Sequence, residues 1–341
     1  MKKFFFSLVA LAAVTMSYAQ NTLVATLTHE GNMSVYYGEN AFVQAHAAAE
    51  NGDLITLSNG NFKCESITKA VTIRGTASQS YSERGIVRTA LGEAGKTTVI
   101  SSPTDTEYTL NAEGIAFCAD IGRSGTNSIL RDVTFTKCYF QASISYCSLY
   151  DVSFTQCYVN YFSNYYAGSN PLFVNSIVIP GGTWNDATSA TFVNCFVDDH
   201  TGYGFGILEN CIFQNCILSD IYGNKRLSSS NIANNCVGYY INNYYGSSNS
   251  SIFSSLNSSS NNTWLGYKQN AAGMITSFYN PTDEIRENYL GDDGTEVGVY
   301  GGMYPYDPVP STPRITKCEV AKRPTADGKL SVNIEVSTPE Q

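Results

Sequence analysis

The sequence predicts an all-β protein, a single-stranded parallel β-helix whose rungs are about 19–21 residues long. Three observations predict it: a repeat of about 20 residues, side chains that recur at fixed positions within it, and strand-like alternation without a helical period. The aligned repeats read "VTFTKCYF" (133–140), "VSFTQCYV" (152–159), "PLFVNSIV" (171–178), "ATFVNCFV" (190–197), "CIFQNCIL" (211–218) and "NIANNCVG" (231–238).

Three columns run through these repeats. The first is cysteine, replaced once by serine: Cys138, Cys157, Ser176, Cys195, Cys216 and Cys236. Three residues earlier lies a column of Phe135, Phe154, Phe173, Phe192, Phe213 and Ala233. A polar column directly before the cysteine becomes Asn at Asn175, Asn194, Asn215 and Asn235. Because successive rungs of a β-helix stack about 4.8 Å apart, equivalent residues should form ladders. We expect Phe and Cys to point inward and the Asn amides to hydrogen-bond along the axis at a turn.

The linking segments hold Gly, Asn and Ser and are too short for a crossover helix with its strands. Ten cysteines would indicate a disulfide framework if the chain is exported. Here Ser176 replaces cysteine without interrupting the period, so the column requires a small side chain more than a bond. We therefore expect a largely reduced, buried ladder, with disulfides between neighbouring rungs as the alternative. Cys118 lies 20 residues before Cys138, one period ahead of the column. The other four cysteines fall outside it: Cys64, Cys147, Cys211 and Cys318.

The two ends of the chain differ from the repeat. Residues 1–19 combine two lysines, an apolar run and a small-x-small pattern ending at Ala19, which predicts a secretory signal peptide. The apolar run is too short for a membrane-spanning helix. Residues 20–52 predict a cap, a hairpin about Gly31-Asn32 followed by a short helix that ends at Gly52. Residues 53–302 are assigned to the β-helix, of about ten rungs, and 303–341 to a proline-marked linker and a terminal strand pair.

One stretch carries a family resemblance. The pattern Gly52-Asp53, Ile55, Leu57, Gly60, Phe62, Ile67-x-Lys69, Val71-Thr72-Ile73-x-Gly75 resembles the opening rung of the pectin-lyase-like superfamily of right-handed parallel β-helices. Within it, the chain is most similar to exported β-helix proteins of Bacteroidetes-type bacteria. "GTEVGVYGG" (294–302) resembles their last rung. The resemblance implies a right-handed coil, which agrees with the general crossover preference. It implies no single function, because the superfamily contains lyases, hydrolases, esterases, adhesins and phage spikes.

Charge excludes several classes of partner. The formal net charge is −9, and only 14% of the residues are charged. Nucleic acid and anionic polysaccharide need clustered Lys and Arg, so neither is expected as a ligand. The 87 residues between Lys137 and Lys225 contain no Lys or Arg. The lyases of the resembling superfamily use such a residue as base, so a pectate-type lyase is disfavoured.

The weak catalytic candidates are Asp198, Asp199 and His200, at the end of one repeat. Two neighbouring carboxyl groups resemble part of a glycoside hydrolase site, which needs a pair at defined separation. No partner motif accompanies them, and successive strand residues face opposite ways, so a polar turn is the simpler interpretation. A serine esterase is disfavoured because His200 is the one central histidine and no Gly-x-Ser-x-Gly is present. No motif indicates a cofactor or a metal.

Tyrosine occurs 24 times and gives the stronger binding signal. Loops rich in Asn, Ser and Gly carry Tyr161, Tyr165, Tyr166, Tyr244 and Tyr245. Aromatic rings beside amides suit neutral sugars, whereas the alternative is that these rings fill the interior and cover the flank. The sequence therefore favours a secreted, periplasmic or surface-located non-catalytic protein, adhesin-like, that binds neutral glycan or a surface protein. The alternative is a glycan-active enzyme that acts on neutral polysaccharide.

Overall fold

The computed structural model describes residues 23–80, 86–101, 107–122, 128–145, 147–162, 171–180, 190–198, 210–219, 226–227, 231–239, 243–244, 247–249, 265–269, 275–281, 290–307, 309, 314–320 and 332–337. Within these residues lie one helix, α1 (Ala41–Ala48), and thirty strands.

The strands, in chain order, are β1 (Val24–His29), β2 (Asn32–Tyr37), β3 (Leu54–Leu57), β4 (Gly60–Phe62), β5 (Ser66–Ile67), β6 (Thr72–Arg74), β7 (Thr89–Leu91), β8 (Thr97–Ile100), β9 (Leu110–Glu113), β10 (Ile115–Phe117), β11 (Asp120–Ile121), β12 (Ser128–Thr136), β13 (Tyr139–Ile144), β14 (Cys147–Thr155), β15 (Tyr158–Phe162), β16 (Leu172–Val174), β17 (Ile177–Pro180), β18 (Thr191–Val193), β19 (Phe196–Asp198), β20 (Ile212–Gln214), β21 (Ile217–Ser219), β22 (Arg226–Leu227), β23 (Ile232–Asn234), β24 (Val237–Tyr239), β25 (Asn243–Tyr244), β26 (Ser247–Asn249), β27 (Leu265–Gln269), β28 (Ile275–Pro281), β29 (Arg314–Val320) and β30 (Val332–Ser337).

Two large sheets form the walls of the coil. The first has 12 strands in the order β2-β1-β3-β6-β9-β12-β14-β16-β18-β20-β23-β26, and it is parallel from β3 onward. The second also has 12 strands, with a main path β24-β21-β19-β17-β15-β13-β10-β7-β4 and β5, β8 and β11 beside it. The chain alternates between the sheets and adds one strand to each per rung. The predicted parallel β-helix is therefore confirmed.

The phenylalanine column forms the predicted ladder. Phe154, Phe173, Phe192 and Phe213 are equivalent in register and fully buried. Their rings stack with centroids 4.7 to 4.9 Å apart and interplanar angles of 7° to 8°. That spacing matches the distance between neighbouring strands, so each rung places its ring directly on the ring of the rung before. The ladder ends at Ala233.

Nine of the ten cysteines, all except Cys318, whose side chain is not described, are free and buried, as expected for a reduced ladder. The thiol of Cys195 donates to the carbonyls of Phe173 and Val193 at 3.3 and 3.2 Å. Ser176 occupies the same place with its hydroxyl, 3.0 Å from the carbonyl oxygen of Phe154. Burial raises the pKa of the Cys147 and Cys211 thiols to about 12, so these groups stay protonated.

The polar column is a column of left-handed corners. Lys137, Gln156 and the Asn residues at 175, 194, 215 and 235 have φ between 46° and 54°, and Gly114 has φ 66° at the equivalent place. Asn tolerates this conformation better than most residues, which explains its recurrence at the turn between the two sheets. The expectation that the Asn amides bond along the axis is wrong for Asn175 and Asn215, whose amides bond to a distant segment instead.

That distant segment, residues 290–309, is here called the strap. It runs along the outside of the corner column from Asn215 back toward Lys137. Asn215 donates to the Asp292 carboxylate at 2.7 Å, Asn175 donates to the carbonyls of Val299 and Gly301 at 3.1 and 2.6 Å, and Lys137 donates to the carbonyl of Val309 at 2.7 Å. Residues 294–302, which resemble a last rung, belong to neither large sheet and lie in the strap instead.

The strap also covers an outward-facing apolar column of the second sheet. Tyr158, Ile177, Phe196, Ile217 and Val237 form a buried cluster on which the strap places its own side chains, Val297, Val299 and Tyr306. At its far end, Val309 packs with Ala77 and Ile86, near the beginning of the coil. The strap therefore closes one flank over most of the length of the coil.

The N-terminal cap consists of β1, β2 and α1. β1 and β2 form an antiparallel hairpin whose two-residue turn is Glu30-Gly31, one position earlier than expected. β1 continues antiparallel onto β3 and so joins the first sheet. The helix ends at Ala48 rather than Gly52, with Phe42 and His46 turned toward the core. At the other end of the sequence, β29 and β30 form the expected antiparallel pair. No helix among the described residues has the length and apolarity to cross a membrane.

Candidate functional site

The catalytic candidates are not brought together in the described residues. Asp198 ends β19, where its backbone pairs with Ser219 of the next rung. Asp199 and His200 lie outside the described residues. Two further carboxylates, Asp132 in β12 and Asp151 in β14, are exposed and have φ 53° and 52°. Their left-handed backbone bends each strand, which is a conformational role that needs no ligand.

No group of three or more His, Cys, Asp and Glu side chains capable of holding a metal ion occurs in the part of the chain that the structure describes. The thiols of the nine cysteines whose side chains are described are buried. Burial raises the pKa of Cys118, and it raises the pKa of Cys157, Cys216 and Cys236 well above the usual value. A thiolate is the reactive form of cysteine, so these protonated, buried groups are structural.

Of the five tyrosine candidates, two lie within the described residues and three lie outside them. Tyr161 lies in β15, half-buried, with its backbone opposite Ser143 of the preceding rung. Tyr244 lies in β25, where it pairs with Leu227. Tyr165, Tyr166 and Tyr245 lie outside the described residues. Tyr139 and Tyr158 stack with ring centroids 5.1 Å apart on the outward column of the second sheet. Burial raises the pKa of Tyr139.

A flat, uncharged surface is exposed on the first sheet. We call it the flat face and define it by six residues that flank the phenylalanine column: Leu172, Val174, Thr191, Val193, Ile212 and Ile232. Gln214 and Asn234 continue the row of Val174 and Val193, and Gln214 donates to the Asp292 carboxylate at 2.6 Å. Because side chains alternate along a strand, an inward Phe turns both of its neighbours outward. The register places Leu172, Thr191, Ile212 and Ile232 side by side on successive rungs.

The exposure of the flat face is unusual for its composition. Leu172, Ile212 and Ile232 are 37%, 41% and 40% exposed. The equivalent apolar column of the second sheet is buried under the strap, with Ile177 and Phe196 at 0% exposure. Among the described residues, the chain therefore covers one apolar flank with the strap and leaves the other exposed. Contiguous exposed apolar surface of this kind marks interaction sites in soluble proteins.

Hydroxyl groups continue the flat face toward the cap. Thr134 and Ser153 occupy the equivalent positions two and one rungs before Leu172, and their hydroxyls lie 3.3 Å apart. Thr191 lies between Leu172 and Ile212. The surface thus combines aliphatic contacts with hydrogen-bonding groups and carries no charge within its six defining residues. Sequence reasoning missed it, although the residues flanking the Phe column were visible in every repeat.

A cleft of about 690 Å³ lies near the cap and is lined by Lys63, Cys64, Glu65, Glu93, Gly95, Lys96 and Thr97. Its rim mixes both signs of charge, and Lys63 is paired with Glu39 at 2.7 Å. Burial raises the pKa of the Cys64 thiol to about 12. The cleft therefore offers neither a reactive thiol nor a concentrated charge.

Comparison of the chain with models of known protein families gives no match, and comparison with curated proteins gives no relative.

Proposed function

We propose that the protein is an exported, non-catalytic, adhesin-like β-helix protein that binds a neutral glycan through the flat face. The observation that carries this proposal is the exposure of Leu172, Ile212 and Ile232 on a rigid, uncharged sheet surface. Aliphatic side chains pack against the C–H faces of sugar rings, and the neighbouring Thr and Ser hydroxyls hydrogen-bond to sugar hydroxyls. A flat surface with one strand about every 4.8 Å suits an extended chain better than a small molecule.

Two further assignments belong to the same proposal. The predicted signal peptide at residues 1–19 supports export, to the cell surface, the periplasm or the medium. The opening-rung pattern and the parallel coil support a relationship to the pectin-lyase-like superfamily, in particular to its exported members from Bacteroidetes-type bacteria. The Tyr/Asn-rich segments that contain Tyr165, Tyr166 and Tyr245 follow repeats in the sequence and are proposed to extend the binding surface.

The enzyme alternative needs a second carboxyl group at hydrolase spacing from Asp198 or Asp199. Nothing observed favours it over binding. It is tested by incubating neutral polysaccharides with the protein and measuring newly formed reducing ends. Release that is abolished by Asp198→Asn or Asp199→Asn would establish hydrolysis and overturn the non-catalytic proposal.

Binding is tested with the chain from Gln20 onward on an array of neutral and acidic glycans. We expect binding to neutral glycans that Ile212→Lys abolishes, because it places a hydrated charge at the centre of the flat face. Val87→Lys is the matched control, since Val87 is 50% exposed and lies away from this face. Absence of any glycan signal, or equal loss in both variants, would contradict the proposal. Capture of a protein through Ile212 with no glycan signal would replace the ligand class.

A further inference from the structure

The first sheet has an open edge at its N-terminal end. β2 is the terminal strand in the sheet order and pairs with β1 alone among the described strands. Met33, Val35 and Tyr37 are 74%, 47% and 64% exposed. Tyr36 packs against the core, so alternation along the strand turns the other three side chains to the solvent face. The cap thus covers the first rung but presents a new, apolar edge of its own.

The hairpin register shows which backbone groups are available at that edge. A two-residue turn makes its flanking residues, His29 and Asn32, a hydrogen-bonded pair, and such pairs alternate with non-hydrogen-bonded ones along the ladder. Thr26–Val35 is therefore a non-hydrogen-bonded pair. The N–H and C=O groups of Met33, Val35 and Tyr37 consequently point away from β1. These three exposed residues therefore also supply the backbone N–H and C=O groups that are available at the edge of the sheet.

The geometry points to a second copy of this chain as the occupant of that edge. We propose that two copies pair their β2 strands antiparallel about Val35, so that their first sheets become one continuous sheet with a two-fold axis at Val35. In this register Val35 lies opposite Val35 of the partner subunit, and Met33 lies opposite the partner's Tyr37. The exposed face then consists of apolar cross-strand pairs, including two contacts between sulfur and aromatic ring.

Charge supports a self-pairing rather than opposing it. β2 contains no charged residue and no proline, which are the devices that normally protect an edge strand. The nearest charges are Glu30 and Glu39 at its two ends. In the proposed register Glu30 meets the partner's Asn40 and Glu39 meets the partner's Gly31, so no like charges are opposed. Glu39 is also neutralised by Lys63 at 2.7 Å. An acidic chain can therefore approach its copy at this edge.

Site-specific cross-linking tests both the contact and its register. Val35→Cys should form a covalent dimer under mild oxidation, because hydrogen-bonded antiparallel neighbours have Cα atoms about 5.5 Å apart, within disulfide range. Met33→Cys alone should not cross-link, whereas Met33→Cys combined with Tyr37→Cys should. Nine of the ten native cysteines are buried, and the wild-type chain gives the background of the tenth, Cys318. Equal cross-linking of the single variants Val35→Cys and Met33→Cys would overturn the register, and cross-linking of neither Val35→Cys nor the double variant would overturn the contact.

Sedimentation of the chain from Gln20 onward provides the second test. We expect a monomer–dimer equilibrium that shifts with concentration in the micromolar range and is lost in Val35→Lys, which opposes two lysines on the axis. Val43→Lys is the matched control, since Val43 is 42% exposed on α1 and leaves β2 unchanged. A monomer at all concentrations, or dimers that persist in Val35→Lys, would overturn the proposal. Thermal unfolding of each variant verifies that it is folded.

Discussion

At the residue scale, cysteine and serine are interchangeable at the inner corner because both side chains accept a hydrogen bond from a backbone N–H and donate one to a backbone carbonyl. The Cys216 sulfur accepts the backbone N–H of Cys195 at 3.4 Å, and the Ser176 oxygen accepts that of Cys157 at 3.0 Å. Each also donates to carbonyls at the corner. The column thus requires a small, buried side chain that can both donate and accept a hydrogen bond. This explains why no disulfide is required.

We predict that Ser176→Cys changes the free energy of unfolding by less than about 1 kcal/mol, whereas Ser176→Ala lowers it by about 2 kcal/mol. The alanine leaves the buried N–H of Cys157 without a partner, while the cysteine reproduces the arrangement of Cys216. Urea denaturation followed by far-UV circular dichroism measures both. Equal stability of the two variants would contradict the role given to this side chain.

At the element scale, the strap is held by a match between its glycines and the corner column. Gly302 has φ 75°, and a Cβ atom there would overlap the amide nitrogen of Asn194, itself only 5% exposed. Gly298 has φ 87° and approaches Ile217 in the same way. The glycines therefore serve two purposes: they permit a left-handed backbone, and they allow the strap to lie directly on the coil.

We predict that Gly302→Ala costs about 1 kcal/mol more than Gly294→Ala. Gly294 has a nearly identical φ of 76°, but nothing lies within 4 Å of its Cβ position, so it reports the backbone cost alone, about 1–2 kcal/mol. The difference isolates the contact with Asn194. Unfolding free energies and limited proteolysis of residues 290–309 measure it, and a zero difference would show that the strap does not seat there.

The cap contains two histidines, His29 and His46, whose protonation affects its stability in opposite directions. Burial, with a smaller contribution from Lys69, lowers the pKa of His46, whose Nε2 accepts the N–H of Thr68 at 3.2 Å. The hydrogen bond with Asp53 raises the pKa of His29. His46 thus favours folding when neutral and His29 when protonated, so the two act in opposite directions near pH 6.5.

We predict that His46→Gln makes the cap less sensitive to acid. Below about pH 6.5 the unfolded chain gains a proton at His46 that the folded cap resists, so the stability of the cap falls as pH decreases toward the folded-state pKa. His29 has the opposite sign, and its contribution is lost as pH rises through its raised pKa. Hydrogen exchange of residues 24–48 between pH 5 and pH 8 measures the effect. An unchanged pH profile in His46→Gln would contradict this assignment.

At the scale of the whole molecule, the strap changes how the repeats depend on one another. Rungs of a solenoid contact their neighbours alone, so their stability is a sum of local terms. The strap links Asn215 to Lys137 along one continuous segment and covers the column between them. Loss of any one rung in this interval therefore weakens the contacts of several others.

We predict that Val299→Asp broadens the unfolding transition. The change places a carboxylate in a buried cluster with Ile177 and Phe196, so the strap detaches and the rungs separate into local units. Met303→Asp is the control, since Met303 is 83% exposed in the same strap. Hydrogen exchange of β15, β17 and β19 should become faster in the first variant alone. A transition that stays as sharp as in the wild type would show that the strap adds no cooperativity.

The rungs could be predicted from the sequence, whereas the strap could not. The positions of Phe173 and Cys195 have the same environment in each rung. The recurrence of these residue types in the sequence therefore predicts that they are buried. The partners of Asn175 lie 124 and 126 residues away, and no local pattern encodes them. Gly302 looks like a turn residue of one more rung because rung and strap both need φ > 0. The flat face was missed for another reason. Whether Ile212 is exposed depends on whether a distant segment packs over it, and no local pattern encodes that.

The return of the strap also determines how the molecule would carry a mechanical load. Val309 lies beside Ala77 and Ile86, and β29 begins five residues later. Tension applied through the C-terminal strand pair would enter near the first rungs and run along the corner column, shearing the hydrogen bonds of Lys137, Gln156 and Asn175 together. Without the strap, the same pull would peel rungs from the far end one at a time. The hydrogen bonds between the strap and the corner column would therefore bear the load together, although the strap is only a short segment of the sequence.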